Sequence, residues 1–217
     1  MPLKLFGHDT SPYVRRIRIL LDELDVPFGR DRHGWLDATD DFKAASPIQR
    51  LPMLDRGAAA KTRYVYDSKV IAEVLYRDLA TLRAPRTKVR AGIQQTLWRA
   101  DLHDHDVNVL TVLDGGLDAA INGFCIEQAG TSRTTNGYLQ RQFDRAQECF
   151  TWLEKIYGAG PTLTPGELAF VDIAVASALT WIRFRKVFDV TAWPNLVAMH
   201  DAHEKRPSFV ATNPYPA

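Results

Sequence analysis

The chain has 217 residues, 46% of them hydrophobic and 24% charged, with a formal net charge of +1. That length buries one large core or two small ones, and so even a charge balance argues against nucleic acid or an anionic membrane surface as a partner. Its two cysteines, Cys125 and Cys149, stand far apart and match no metal or redox spacing, which excludes a disulfide framework and favours a reducing compartment. Lys4, His8 and Asp9 interrupt the opening residues before an apolar stretch forms, so no export signal is expected. The nearly apolar run 168–182 is too short to span a bilayer and contains Asp172. A cytoplasmic protein is expected.

In chain order, LKLFG predicts a short strand. A helix follows with Val14, Ile17, Leu20, Leu21 and Leu24 on one face and Arg15, Arg16, Arg18, Asp22 and Glu23 mostly elsewhere. VPFGRDR predicts a second strand, and DATDDFKAA a short polar helix ended by Pro47. PMLD and RYVYD predict two strands around a small loop, and SKVIAEVLYRDL a helix with Val70, Ile71, Val74 and Leu75 as its apolar stripe. The opening strand–helix–strand asks for a right-handed parallel crossover, and the later strand pair for a hairpin.

From about residue 86 the pattern turns helical. Residues 86–113 predict one long helix, 136–157 another, 170–186 a helix buried on nearly all sides, and 194–205 a last one. RPSFVATNPYPA predicts a proline-rich tail. Gly115, Gly116, Gly123, Gly130 and Gly137 are expected at bends. The fold class is therefore an α/β domain ordered βαβαββα followed by an all-α bundle, with boundaries at 1–79, a linker at 80–86 and 87–217.

Three stretches of the first domain carry chemistry. In HDTSPYVRR, Ser11 is a good N-cap and Pro12 suits the first helical position. A hydroxyl at a helix N-terminus is also where an anion, including a thiolate, is held. In SPIQRLPML, Pro52 starts a strand and invites a cis Leu51–Pro52 bond, although an edge strand alone would tolerate it. In YDSKVIAEVL, Asp67 and Ser68 stand at a helix mouth with free backbone N–H groups, where either could be a simple cap.

Together, in this order, these motifs resemble the glutathione transferase superfamily over essentially the whole chain, and among its members the small bacterial ones with a Ser-Pro-aromatic motif. The resemblance implies a thioredoxin-like N-terminal domain that binds glutathione and a helical domain that binds a small hydrophobic electrophile. Ser11 matches the residue that holds the thiol. Leu51 and Pro52 match the residue and cis-proline that meet the cysteinyl part, and Asp67 with Ser68 the pair that grips the γ-glutamyl end. ELAFVDIAVASAL resembles the superfamily's buried helix, with Asp172 in its usual place. Two departures stand out. The family's Asn-Pro-x-Gly-Lys is here Ser46-Pro47-Ile48-Gln49-Arg50, which removes a glycine but leaves Arg50 as a cation for the glycine carboxylate. Ala169 replaces the usual Ser or Thr cap, so Asp172 is expected to lose a hydroxyl partner at about 1 kcal/mol.

The magnitudes suffice for such chemistry. Lowering a thiol from a pKa of about 8.5 by two units takes about 2.7 kcal/mol. One charge-assisted bond from Ser11 is worth roughly 1.5–3 kcal/mol, and the helix N-terminus adds up to about 1 more. Ser11 is then a donor to the thiolate rather than a nucleophile, with Thr10 as a second hydroxyl nearby.

Other clusters weigh less. His103-Asp104-His105-Asp106 alternates around a helix rather than converging, and His200, His203 and Glu204 are expected on a solvated face, so no metal is expected. Arg83, Arg86, Lys88 and Arg90 form a basic connector. Trp98, Asp101, Leu102 and His105 share one side of the first long helix, and the resemblance makes Asp101 a candidate for reaching a neighbour's glutathione in a homodimer. The rival reading is a non-catalytic protein-binding relative on the same fold. Glutathione-dependent thiol reduction would need a cysteine near position 11, and the first domain has none.

Overall fold

The computed structural model describes residues 3–33, 39–81, 91–94 and 96–215. Strand β1 (Leu3–Phe6) leads into helix α1 (Pro12–Glu23), strand β2 (Phe28–Asp31) and the short helix α2 (Asp40–Ala45). Strands β3 (Met53–Asp55) and β4 (Tyr64–Tyr66) then precede helix α3 (Ser68–Thr81). The sheet order is β2-β1-β3-β4, with β1 parallel to β2 and antiparallel to β3, and β3 antiparallel to β4. The expected parallel pairing across α1 and the expected hairpin are both present. Alternation places Leu5 and Leu54 opposite each other, both fully buried beneath α1 and α3.

The second unit is helical: α4 (His103–Gln128), α5 (Gly137–Ile156), α6 (Phe170–Arg185), α7 (Pro194–His203) and α8 (Pro207–Thr212). Helix α6 is buried at every residue from Phe170 to Ile182, as its nearly apolar run requires. By length and composition α4 is apolar enough to cross a membrane, and it packs against α5 and α6.

Several expectations need correcting. The long helix does not start near 86: residues 96–102 are bends and a single 3-10 turn at Ala100–Leu102, and α4 begins at His103. It then runs straight through Gly115, Gly116 and Gly123 instead of bending. Two of these glycines serve packing. A Cβ at Gly116 would lie 2.7 Å from Cys149 Cβ on α5, and one at Gly123 would lie 2.7 Å from the Phe143 ring. The helices approach through the space those side chains would fill. Only Gly130, with φ +97°, ends the helix in the left-handed region.

The proline-rich tail contains a helix. Pro207 sits in the first turn of α8, and Ser208, Phe209 and Thr212 are buried. So short a helix is stable only through its packing on α1, which periodicity in six residues cannot reveal. In α3, Ile71, Val74 and Leu75 are buried but Val70 is 43% exposed. The expected linker, 80–86, begins inside α3, and its residues 82–86 lie outside the described residues.

The largest revision concerns α1. Its polar side is not solvated: Arg15 and Arg16 are each 1% exposed and Glu23 is fully buried. The helix packs on α3 on one side and on α6 and α8 on the other, so each buried charge is paired. Arg15 binds Glu204 through two contacts of 2.8 and 3.0 Å and also meets Thr180 and the Phe209 carbonyl. Glu23 accepts from Arg206 at 2.7 Å and from Ser208. These ties fix α1 against the helical unit, and with it the turn that carries Ser11.

Candidate active site

Ser11 caps α1. Its backbone is extended (φ −76°, ψ 124°), Pro12 follows in the first turn, and its Oγ accepts from the Val14 N–H at 3.3 Å. The capping role is therefore real. A hydroxyl that accepts one bond still has its own O–H to donate, so the cap and a donor role are compatible. Thr10 is differently engaged, with its Oγ1 at 2.9 Å from His8 Nδ1.

Facing this helix end, the Leu51–Pro52 bond is cis as expected, and the chain reaches it through Gln49 at φ +47°. Gln49, where the resemblance expects glycine, thus holds a left-handed backbone, with its N–H bonded to the Ser46 carbonyl at 3.1 Å. Holding a non-glycine residue there costs about 1 kcal/mol. Asp67 also lies in the left-handed region, at φ +69°, which a short acidic side chain tolerates. Its carboxylate accepts from the Lys69 N–H at 2.8 Å and so caps α3.

Arg50, Leu51, Asp67 and Ser68 line one cavity of about 90 Å³ together with Tyr13, Ile48, Asp114 and Asp118. Four of the expected site residues therefore meet. Ser11 and Pro52 do not line this cavity, although each adjoins a residue that does (Ser11 through the first turn of α1, Pro52 through Leu51).

Tyr13, Arg16, Asp114 and Asp118 were not singled out from the sequence, and the structure makes them the electrostatic frame of the cleft. Arg16 Nε donates to Ser68 Oγ at 2.8 Å, while its guanidinium forks onto Asp114 at 2.6 and 3.1 Å. Burial is the largest influence and works to lower the Arg16 pKa, but Asp114, Tyr13 and Asp67 together turn the net shift upward, so the charge is permanent. Ser68 consequently accepts from Arg16 and still has its own O–H to donate. Tyr13 donates to Asp118 Oδ1 at 2.7 Å, and Arg50 Nη2 donates to the same oxygen at 3.1 Å. Burial, followed by the Asp114 charge, raises the Tyr13 pKa far above its ordinary value, so the phenol stays a neutral donor. A usable signal did exist: Asp114 and Asp118 are an i,i+4 pair of acids in an otherwise apolar segment, VLTVLDGGLDAAINGF.

The remaining candidates are placed elsewhere. Asp106 is buried against Arg99, with a closest contact of 2.5 Å. His200 and His203, expected on a solvated face, are 6% and 8% exposed. His200 meets Thr180 at 3.0 Å and His203 meets the Pro161 carbonyl at 2.8 Å. Among the described residues no group of three or more His, Cys, Asp or Glu side chains is arranged to hold a metal. Arg83, Arg86, Lys88 and Arg90 lie outside the described residues. Asp101 is exposed on the 3-10 turn and is not part of the cleft. Asp172 keeps a hydroxyl partner despite Ala169, because Tyr157 donates to it at 2.8 Å alongside the N–H groups of Leu163 and Ala169.

Residues 10–78 match the family of glutathione S-transferase N-terminal domains, and residues 136–205 that of glutathione S-transferase C-terminal domains. The uncharacterized GST-like protein YibF of Escherichia coli K12 is 26% identical over 216 residues, with 98% of each chain covered. Two solved bacterial structures share the fold. The glutathione S-transferase of Methylobacillus flagellatus, with glutathione bound, superimposes at a TM-score of 0.79, with 23% identity over 98% of this chain and all of that one. That of Methylobacterium radiotolerans, in complex with glutathione sulfonate, gives 0.79 with 24% identity over all of this chain and 97% of the other.

Proposed function

This chain belongs to the glutathione S-transferase superfamily, and from that premise we propose that it is a serine-type transferase that binds glutathione in its N-terminal unit (1–79) and joins it to a small hydrophobic electrophile in its helical unit (87–217). One observation carries the reading: Arg50, Leu51, Asp67 and Ser68 line a single cleft beside the N-terminus of α1. In that cleft the Ser68 O–H and the α3 N-terminus meet the γ-glutamyl carboxylate, and Asp67 meets its ammonium. The backbone of Leu51 pairs with the cysteinyl unit. Arg50 takes the glycine carboxylate, and the Ser11 O–H donates to the thiolate. The positive end of α1 adds to that donor without a protein base. The thiolate then attacks the electrophile's carbon, forming the C–S bond as the leaving group departs or as a conjugate acceptor takes the electron pair. We place the protein in the cytoplasm as a homodimer.

The test is calorimetric titration with glutathione. Asp67→Ala should raise the dissociation constant at least tenfold, roughly 1.4 kcal/mol. An unchanged Kd would remove Asp67 from the ligand's ammonium. Binding followed by consumption of an activated aryl halide supports the enzyme. Binding without turnover supports the non-catalytic reading.

A further inference from the structure

Helix α4 offers two aspartates to the cleft, one turn apart, and each meets an arginine, but the two pairs differ in kind. Asp114 holds Arg16 through both carboxylate oxygens, and Arg16 is 1% exposed. That pair is a fixed part of the frame, since parting it would strand a buried charge. Asp118 holds Arg50 through one N–H at 3.1 Å, with the two side chains 63% and 40% exposed. A single exposed contact of this sort is weak and exchangeable.

Its position matters more than its strength. Arg50 comes from the loop after α2 and Asp118 from α4, so the contact spans the mouth of the cavity that both residues line. Asp118 does not depend on Arg50 for its place. Tyr13, half-buried and permanently protonated, donates to the same Oδ1 at 2.7 Å and keeps the carboxylate there when Arg50 leaves.

We propose that Asp118 is an internal competitor for the carboxylate of the ligand: it occupies Arg50 in the empty site, and the ligand's carboxylate takes Arg50 by exchange. This rests on the reading of Arg50 as the cation for glutathione's glycine carboxylate. The exchange is favourable because a free carboxylate brings two oxygens to the guanidinium fork where Asp118 supplies one. It is incomplete because the Asp118 charge stays beside the incoming anion. Asp118 thereby sets the affinity for the carboxylate end of the ligand.

Asp118→Asn tests this, since the amide oxygen still accepts from Tyr13 while the competing charge is gone. Calorimetry should show glutathione binding to Asp118→Asn about threefold to fivefold tighter than to the wild type, the scale of an exposed ion pair. The glycyl ethyl ester of glutathione, which has no carboxylate for Arg50, should bind both proteins alike, and Arg50→Ala should erase the gain. An equal or weaker glutathione affinity in Asp118→Asn overturns the proposal and makes Asp118 a bystander or a contact for the ligand's ammonium. An equal gain for the ester overturns it too, because the effect would then not act through the carboxylate. Absence of binding to either protein overturns the glutathione reading itself, and this inference with it.

Discussion

Ser11 is asked to do two things with one hydroxyl, and the geometry lets the two be separated. Its oxygen accepts from Val14 at the helix start, which on its own predicts that Ser11→Ala costs about 0.5–2 kcal/mol of stability and leaves the activity of the folded fraction intact. If the O–H also holds the thiolate, the variant should still bind glutathione, because the two ends of the tripeptide are held elsewhere. Its bound thiol should titrate close to the free value, and turnover at neutral pH should fall about a hundredfold, as for loss of a donor aimed at an anion. Thiolate absorbance followed against pH in both complexes decides between them, and superimposable curves leave the cap alone. Thr10, already paired with His8, is a poor substitute in this geometry.

Among the elements, α4 and α6 give the sharpest forecasts. Gly115 and Gly116 are neighbours on α4 with opposite surroundings: a Cβ at Gly115 meets nothing within 4 Å, while one at Gly116 meets Cys149 at 2.7 Å. Gly115→Ala should therefore raise stability by about 0.5–1 kcal/mol through helix propensity. Gly116→Ala should lower it by about 1–3 kcal/mol, because α4 and α5 must part. Urea melts of the two variants should move in opposite directions from the wild type. In α6, burial pushes the Asp172 carboxyl up to about 6, against the pull of the N–H groups of Ala169 and Leu163 and the Tyr157 hydroxyl. The folded state thus takes up a proton near pH 6 that the unfolded chain takes up only near 4, so this group's contribution to stability falls as pH rises. Between pH 5 and pH 7 the wild type should lose roughly 1 kcal/mol relative to Asp172→Asn, whose side chain does not titrate. Parallel pH profiles from denaturant melts of the two proteins would show that the donors, not burial, set the charge state.

At the scale of the whole molecule, α1 is the shared element: one side completes the α/β unit and the other is buried against α6 and α8. Buried ion pairs from Arg15 to Glu204, Arg16 to Asp114 and Glu23 to Arg206 cross that junction. Parting the units would leave those charges unpaired, so the two are expected to unfold in one transition. The proposed dimer concerns the outer surface, where Val70 stands exposed on α3 while the rest of its stripe is buried. Light scattering at micromolar concentration should give twice the 24.5 kDa chain mass. Val70→Glu should shift that value towards one chain, whereas a monomeric wild type would sink the dimer and, with it, any role for Asp101 across an interface.

Period and turn chemistry are local, and so the alternation of LKLF, the apolar stripe from Val14 to Leu24 and the nearly apolar run of α6 were legible in the amino-acid sequence by itself, as was the order βαβαββα. The cis Leu51–Pro52 bond and the place of Asp67 and Ser68 at the mouth of α3 were legible as well, because backbone demands such as a helix mouth and an X-Pro bond are written in the residues that meet them. The tertiary structure alone decided what depends on a second surface. Arg15, Arg16, Glu23, His200 and His203 follow helical periodicity as polar positions, yet each is buried because another helix covers it. Gly115 and Gly116 are one residue type in one helix, and only the approach of α5 makes them different. α8 exists because α1 gives it something to pack on. Asp114 and Asp118 were visible as acids in an apolar segment, but which arginine each would hold, and whether tightly or exchangeably, depended on side chains 98 and 68 residues away that only the folded chain brings together.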